Sequence, residues 1–517
     1  MKKKRALYNL IVGMGSKFVL MVLGFIIPKI FIENYGSDVN GLLSSIGQVF
    51  AYLNLVEAGI GVATTQALYR AVAKDDWNEI SAIMNASSGF YRRTGTIYFI
   101  GVVITSLFYA VFVKTPLFPS QVFLLILFSG MGNVLNYFFQ SKYIALLNTE
   151  GKTYIHVGIN TVIQIFTQIL KIIMISNRFD IVLIYFVYLM ITAMQILALN
   201  IYMHRNYRNK LNHAVKPNRQ ALNQHSSVLI HQISGVVFSN TDVLILTAFT
   251  NLQYVSIYTI YNMVITNLNV LTITVLDSFT SALGLIYNES KERFNKVYDL
   301  YELGSWIVCF ILMSVTLLLY KPFITLYTAN ADINYVDTIL PMLFVLNQLL
   351  SFIRMPGLKV MNIEGCFKDT RSRTIIETVI NLFVSLIAVQ FVGIYGVLLG
   401  TTVALSYRTV DIIIYSNRKI LKRKWTMILR RLLVNVAMFV ILFFLLRQWT
   451  VNISSVAEFL VMGIKTTFAI IQILSTGLNI LGVNRYIINI ITGAILIGVL
   501  VFRFAVHRIS DLKKIKK

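Results

Sequence analysis

Apolar runs long enough to cross a lipid bilayer follow one another along almost the whole chain. A bilayer core is about 30 Å thick and requires about 20 apolar residues per helix. We therefore predict an all-α, polytopic membrane protein of about 14 transmembrane helices. The predicted spans are residues 7–31, 42–66, 94–113, 121–146, 154–175, 181–203, 226–249, 254–286, 303–327, 338–361, 374–394, 396–416, 430–447 and 485–506.

The composition excludes most soluble classes of protein. Hydrophobic residues make up 56% of the 517 residues and charged residues only 13%, so no water-soluble core could bury this much apolar surface. The two cysteines, Cys309 and Cys366, provide neither a disulfide framework nor a metal motif. Because glycine-rich phosphate loops, nucleophile elbows and paired metal ligands are also missing from the sequence, we expect neither an enzyme nor a cofactor.

The basic residues indicate the orientation. They are concentrated in alternate loops, which the positive-inside rule places in the cytoplasm together with both termini, in a protein of the cytoplasmic membrane. The net charge of +24 is therefore explained by topology and not by nucleic-acid binding. The cytoplasmic loops contain Lys2 to Arg5, Arg70, Lys74, Arg92, Arg93, Arg205, Arg208, Lys210, Lys216, Arg219, Lys291, Arg293, Lys296, Lys368, Arg371 and Arg373.

Residues 454–481 are apolar enough to span the membrane but contain Glu458 and Lys465. A span at this position would export the basic tail that ends at Lys517. We therefore predict an interfacial or re-entrant segment.

A weak internal repeat divides the chain into two halves. Glu150-Gly151 and Glu364-Gly365 occupy equivalent cytoplasmic loops 214 positions apart, and Tyr69 and Tyr287 end equivalent spans 218 positions apart. We predict an N-terminal six-helix lobe (1–203), a cytoplasmic linker (204–225) and a C-terminal six-helix lobe (226–416), related by a pseudo-two-fold axis. Residues 417–517 would add a basic loop and two further helices.

Cations at membrane depth are costly unless they face a cavity or a partner. Lys17 and Arg408 lie near the middle of their predicted spans and Arg354 at an intermediate depth, so these three are candidate binding groups. A structural ion pair of Arg408 with Asp411, three positions later on the same helical face, is the alternative. Snorkelling or ion pairs at the membrane rim are expected for Lys29, Lys171, Lys359 and Glu377.

Acidic and polar side chains also lie within the spans. Glu57, Asp242 and Asp277 either couple transport to H⁺ or Na⁺ or neutralise neighbouring cations. His231 shares one face of the seventh span with Asp242, although an ordinary interior histidine is the simpler interpretation. A broad polar strip on the eighth span predicts that this helix lines a water-filled cavity, and its members include Asn262, Thr266 and Asn269.

Four segments carry a resemblance to a known family: Pro28 to Gly36, Glu57 to Gly61, Thr241 to Leu246 and Gly393 to Gly400. They resemble the prokaryotic polysaccharide flippases (Wzx-like) of the multidrug, oligosaccharidyl-lipid and polysaccharide (MOP) exporter superfamily. The resemblance implies a twelve-helix core around a central cavity, with two extra C-terminal helices. It also implies transfer of an undecaprenyl-diphosphate-linked oligosaccharide across the membrane by alternating access, alongside the polymerase and glycosyltransferases of the same pathway.

Two other functions remain open at this stage. A drug or cation antiporter of the same superfamily would have an acidic and aromatic cavity. A membrane glycosyltransferase, polymerase or ligase would need catalytic side chains in a sizeable external loop, whereas the predicted external loops are short. The sign of the charge in the cavity separates the first alternative from the flippase.

Overall fold

The computed structural model describes residues 2–57, 59–212, 214–218, 226–277 and 279–424, and scattered positions from 426 to 467. Up to residue 424 this part of the chain forms fifteen α-helices, which confirms the all-α prediction. The helices are α1 Lys2–Tyr35, α2 Ser37–Leu53, α3 Ile60–Ala73, α4 Trp77–Phe112, α5 Pro119–Phe139, α6 Ser141–Thr149, α7 Thr153–Ser176, α8 Ile181–Tyr207, α9 Ser226–Phe249, α10 Leu252–Asp277, α11 Thr280–Glu289, α12 Lys291–Tyr327, α13 Leu340–Glu364, α14 Phe367–Val392 and α15 Ile394–Tyr415.

Nine helical segments of the described chain are long and apolar enough to cross a membrane. A polytopic membrane protein is therefore confirmed. The predicted span 485–506 lies outside the described residues, and so do the span 430–447 and the segment 454–481 apart from isolated positions.

Several helices begin well before the predicted spans, because polar caps extend them beyond the apolar run. The Asp76 carboxylate accepts hydrogen bonds from the backbone N–H groups of Asn78 and Glu79, at 3.1 and 3.0 Å, and so starts α4. Ser290 caps α12 in the same way, and Asp180 caps α8, which begins at the predicted residue. Such caps satisfy backbone donors that the helix itself leaves unpaired.

The chain forms two compact units. Unit 1 consists of Met1–Met263, Asn330–Ile333 and Lys368–Val397. Unit 2 consists of Val264–Ala329, Asn334–Phe367 and the described residues from Leu398 onward. Each unit has an apolar core of its own, built around Leu42, Leu125 and Ile175 in unit 1 and around Phe294, Tyr298 and Val360 in unit 2.

The corner between α14 and α15 depends on two glycines. Gly393 has a φ of 55°, which L-amino acids with side chains rarely adopt. At Gly396 a Cβ atom would lie 2.4 Å from the carbonyl carbon of Ala388 and 2.4 Å from the backbone nitrogen of Val389. The segment Gly393 to Gly400, which carried part of the family resemblance, therefore begins with a backbone corner.

Candidate functional site

The second predicted span is broken. After α2 the chain forms a 3-10 helix, Asn54–Glu57, and Gly59 then takes a φ of 88° before α3 begins at Ile60. This break fixes the position of Glu57. A Cβ atom on Gly61 would lie 2.8 Å from Oε1 of Glu57 and 3.5 Å from the hydroxyl of Tyr91, so the glycine leaves room for a half-buried carboxylate beside a tyrosine.

The eighth predicted span is broken as well. Helix α10 ends at Asp277 and α11 begins at Thr280. The Asp277 carboxylate forms an ion pair with Nζ of Lys359 on α13, within unit 2. Of the two roles that the sequence left open for Asp277, this contact supports neutralisation of a neighbouring cation.

The two breaks occupy corresponding positions in the predicted halves. Glu57 and Asp277 are 220 positions apart, close to the offset of 218 between the tyrosines that end these spans. Interrupted spans at equivalent positions are typical of transporters in which the interruption contributes to the binding site. Both spans are predicted from the sequence as continuous helices, at residues 42–66 and 254–286. Gly59 and Gly61 were the available signal in the first span, whereas no glycine lies at the second break.

A cavity of about 500 Å³ adjoins the first break, within unit 1. Its walls come from the end of α2, the 3-10 helix and α9, and its polar lining consists of Asn54, Gln232, Ser239 and Asn240. We call this cavity the polar pocket. Gln232 and Ser239 are exposed and make no hydrogen bond with another described residue, so their amide and hydroxyl groups are available to a ligand.

Helix α2 also contacts α9 and the start of α10 along a row of buried and partly buried hydrogen bonds, which we call the α2 seam. Nδ2 of Asn40 donates to Oγ of Ser256 at 2.7 Å, Oγ1 of Thr247 donates to Oγ of Ser45 at 2.7 Å, and the hydroxyls of Tyr52 and Thr241 are hydrogen-bonded. Hydrogen bonds between membrane helices average about 0.6 kcal/mol each. The seam joins α2 to α9 and to the first turns of α10, and sequence reasoning did not predict it.

Asp242 lies next to the seam. Its side chain is buried, and its Oδ2 accepts a hydrogen bond from the Tyr258 hydroxyl at 2.9 Å. Since Tyr258 is on α10, Asp242 belongs to the packing of α9 on α10 within unit 1.

The beginning of α2 is held by a distant carboxylate. Both oxygens of Asp332, in the loop before α13, accept from the backbone N–H of Ser37 at 3.1 Å, and Asp332 also binds the Ser37 hydroxyl. An acidic group at this position complements the partial positive charge of a helix N-terminus. Gly36, with a φ of 84°, makes the turn into α2.

The three predicted binding cations differ in their surroundings. Lys17 lies on α1, but its side chain is outside the described residues. Arg354 is half-buried on α13, ten residues or about 15 Å from the C-terminal end of that helix. Arg408 is 3% exposed and pairs with Asp411, which is the structural role that the sequence left open beside binding.

Two of the three lysines near span ends form the ion pairs that the sequence predicted, and the third has aromatic neighbours instead. Lys29 lies 4.0 Å from Glu33, and Lys359 pairs with Asp277, so both form ion pairs. Lys171 instead lies between aromatic rings, with Nζ 4.2 Å from the ring centre of Tyr188 and 5.0 Å from that of Tyr185. A cation over the face of a tyrosine is stabilised by the ring quadrupole.

The predicted cavity-lining residues are distributed over both units. His231 is on α9, with its side chain outside the described residues. Asn262 is half-buried in unit 1, whereas Thr266 is exposed in unit 2. Asn269, also in unit 2, accepts a hydrogen bond from Nε2 of Gln348 at 3.1 Å. That these four residues line one cavity stays a prediction.

Comparison with known proteins gives matches in structure alone. No protein-family model matches the sequence, and neither does any curated protein. Among solved structures, the lipid II flippase MurJ in an inward closed conformation is 14% identical, with a TM-score of 0.66 over 91% of this chain and 99% of that one.

Two other MOP-superfamily transporters are also similar. An inward-facing multidrug resistance transporter of the MATE family is 16% identical, with a TM-score of 0.61 over 80% of this chain and 98% of that one. A transporter from Pyrococcus furiosus, described as having a binding pocket of reversed polarity, is 15% identical, with a TM-score of 0.52 over 82% and 97% of the two chains. The chain therefore has the fold of the MOP-superfamily transporters.

Proposed function

We propose that this protein is a flippase, which moves an undecaprenyl-diphosphate-linked oligosaccharide across the cytoplasmic membrane by alternating access. The fold is shared with a lipid II flippase and with multidrug transporters, and is therefore compatible with both lipid-linked and soluble cargo. The choice between these cargoes rests on the chemistry of the site.

The lining of the polar pocket is the observation that carries the proposal. The polar groups that a ligand could meet in the pocket are three amides and one hydroxyl, those of Asn54, Gln232, Asn240 and Ser239. Among the described residues that line it, no side chain is charged or aromatic. Amides and hydroxyls both donate and accept hydrogen bonds, as the hydroxyls of a sugar require. A pocket for cationic drugs would instead present carboxylates and aromatic faces.

The diphosphate of such a cargo needs positive charge. In the predicted span 338–361 Arg354 lies at an intermediate depth, and we propose Arg354 and Lys17 as groups that bind the diphosphate. A guanidinium binds phosphate oxygens through two parallel hydrogen bonds. Because Arg408 is already paired with Asp411, we expect it to bind the diphosphate less strongly.

Glu57 is the best placed of the three acidic candidates to couple transport to H⁺ or Na⁺. It is half-buried at a break in a span and lies beside the polar pocket, whose wall includes Asn54 of the same 3-10 helix. Asp242 and Asp277 already bind Tyr258 and Lys359. In this proposal both termini are cytoplasmic, and the cargo passes from the glycosyltransferases of its pathway to the polymerase.

The test is a complementation experiment in the native host. The gene is deleted, and wild type or a variant is returned at matched expression. Lipid-linked intermediates are then located with probes that reach only the outer leaflet. The informative variant is Gln232→Leu, and Ile233→Leu is the matched control, because Ile233 is the next residue on α9, is exposed and does not line the pocket.

We expect the deletion to trap intermediates in the inner leaflet and Gln232→Leu to slow their appearance outside by about two- to tenfold, since one uncharged hydrogen bond is lost. Ile233→Leu should export at the wild-type rate. Normal export in the deletion strain, with increased sensitivity to cationic drugs, would refute the flippase and favour the antiporter.

A further inference from the structure

A second cavity in unit 1 is not used by the proposed function. It has a volume of about 860 Å³ and lies between α2, α4 and α9, close to the start of α2 and the ends of α4 and α9. These helix ends all belong to the side that the basic loops predict to be external. We call this cavity the lateral groove.

The walls of the lateral groove are apolar and open to the surroundings. On α4, Ile104, Phe108 and Phe112 line it and are 61%, 53% and 70% exposed. Leu244 and Ala248 line it from α9. Large exposed apolar surfaces of this kind mark an interaction site or contact with lipid. Since α4 and α9 both contain candidate membrane spans, we expect the apolar walls of the groove to face lipid hydrocarbon in a bilayer.

The mouth of the groove is polar and carries one basic residue. Lys114, two residues after the end of α4, is exposed and forms no ion pair with a described residue. The acidic residue at the mouth, Asp38, accepts a hydrogen bond from Nε2 of Gln253 at 3.1 Å. Because a hydrogen bond from an uncharged amide leaves the Asp38 carboxylate charged, the mouth contains one negative and one positive side chain, and the phosphate of a lipid headgroup would be attracted to Lys114.

The residues that line the groove extend along α2 and α4 over a distance close to the thickness of one leaflet. From Asp38 to Val49, both of which line it, α2 rises by about 16 Å, and from Phe112 to Ile104 α4 spans about 12 Å. Half of a bilayer core is about 15 Å thick. An acyl chain of a phospholipid therefore fits with its headgroup at Lys114, whereas a polyprenyl chain is longer than a single leaflet is deep.

We propose that the lateral groove is a binding site for an anionic phospholipid of this leaflet, with the headgroup phosphate at Lys114 and one acyl chain between α4 and α9. The site is separate from the polar pocket and does not depend on which cargo is transported. If the groove is such a site, phospholipid binds with a defined stoichiometry. Binding then requires both the charge of Lys114 at the mouth and the free space in the groove.

The experiment uses the full-length chain in a mild detergent and measures lipid binding by native mass spectrometry. The probes are phosphatidylglycerol, uncharged diacylglycerol and a polyprenyl phosphate. Lys114→Gln removes the charge, and Lys321→Gln is its control at an exposed lysine outside the groove. Ala248→Trp fills the groove, and Val111→Trp is its control, since Val111 is 73% exposed on α4 and does not line the groove.

We expect Lys114→Gln to lower the affinity for phosphatidylglycerol about tenfold, which corresponds to the loss of one hydrogen bond to a charged group. We expect Ala248→Trp to prevent phosphatidylglycerol from binding. Both controls should bind as wild type. Equal binding of diacylglycerol and phosphatidylglycerol, an unchanged affinity in Lys114→Gln, or groove-dependent binding of the polyprenyl phosphate alone would each overturn the proposal. Because Lys114 is exposed, its variant tests the site even if Ala248→Trp fails to fold.

Discussion

At Gly41 the backbone of α2 lies close to the backbone of α10. Replacing this glycine by alanine is therefore a sharp test of the packing of the two helices. A Cβ atom there would lie 1.9 Å from the carbonyl oxygen of Leu252 and 2.7 Å from its carbonyl carbon. Both atoms are backbone atoms at the start of α10, so a rotamer change cannot relieve the overlap. The two helices would have to separate by about 1.5 Å to restore ordinary contact.

The expected cost follows from two opposing effects. Overpacking of a well-packed contact costs about 1–3 kcal/mol, and backbone overlap belongs at the upper end of this range. Alanine regains about 1 kcal/mol of helix propensity relative to glycine. We therefore expect Gly41→Ala to lower the free energy of unfolding by about 2 kcal/mol. Separation of the helices would also weaken the neighbouring hydrogen bond from Asn40 to Ser256.

Gly47 provides the matched control, because it lies on the same helix and an added Cβ would meet nothing within 4 Å. Gly47→Ala should be neutral or stabilising by up to about 1 kcal/mol. The assay is thermal unfolding of both purified variants in the same detergent, followed by size-exclusion chromatography. Equal melting temperatures for Gly41→Ala and Gly47→Ala would refute the close approach of α2 to α10.

Three further outcomes are expected. Asp277→Lys should lower thermal stability, and the double variant Asp277→Lys with Lys359→Asp should recover part of the loss, since the ion pair is re-formed with reversed charges; no recovery would contradict the pairing. Gly396→Ala should reduce the yield of folded protein, measured by fluorescence-detected chromatography, because the Cβ would overlap backbone atoms of the α14–α15 corner. Asp332→Ala should make the start of α2 more accessible to proteolysis or hydrogen exchange by removing a helix cap worth about 1 kcal/mol, and unchanged exchange at Ser37 would contradict this.

The apolar pattern predicted the membrane helices well and their interruptions poorly. The seventh predicted span, 226–249, has the same bounds as α9. In contrast, Asn54 and Glu57 lie within an apolar stretch, and apolar residues flank the α10–α11 break, so the average hydropathy stays high across both breaks. The second break also contains no glycine or proline. A window that averages hydropathy is insensitive to a change in backbone direction.

The sequence predicted which residues are candidates for the site, but for most of them it did not predict which residues they contact. The pairing of Arg408 with Asp411 was one of two stated possibilities because both residues lie on one helix. The partners of Asp242 and Asn269 were not foreseen, since Tyr258 and Gln348 lie on other helices. The α2 seam was missed for the same reason, because its residues are about 200 positions apart in sequence and no local pattern links them.

This separation has a consequence for biosynthesis. Asn40 and Ser256 are 216 residues apart, so the ribosome, at about 5–20 residues per second, completes α10 about 10–40 s after α2. During that interval the polar face of α2 has not yet met Ser256 or Thr247, and we expect it to be shielded by the insertion machinery or by transient partners. A nascent chain stalled before α9 should therefore be a preferred target of membrane quality-control proteases, and one stalled after α10 should resist them.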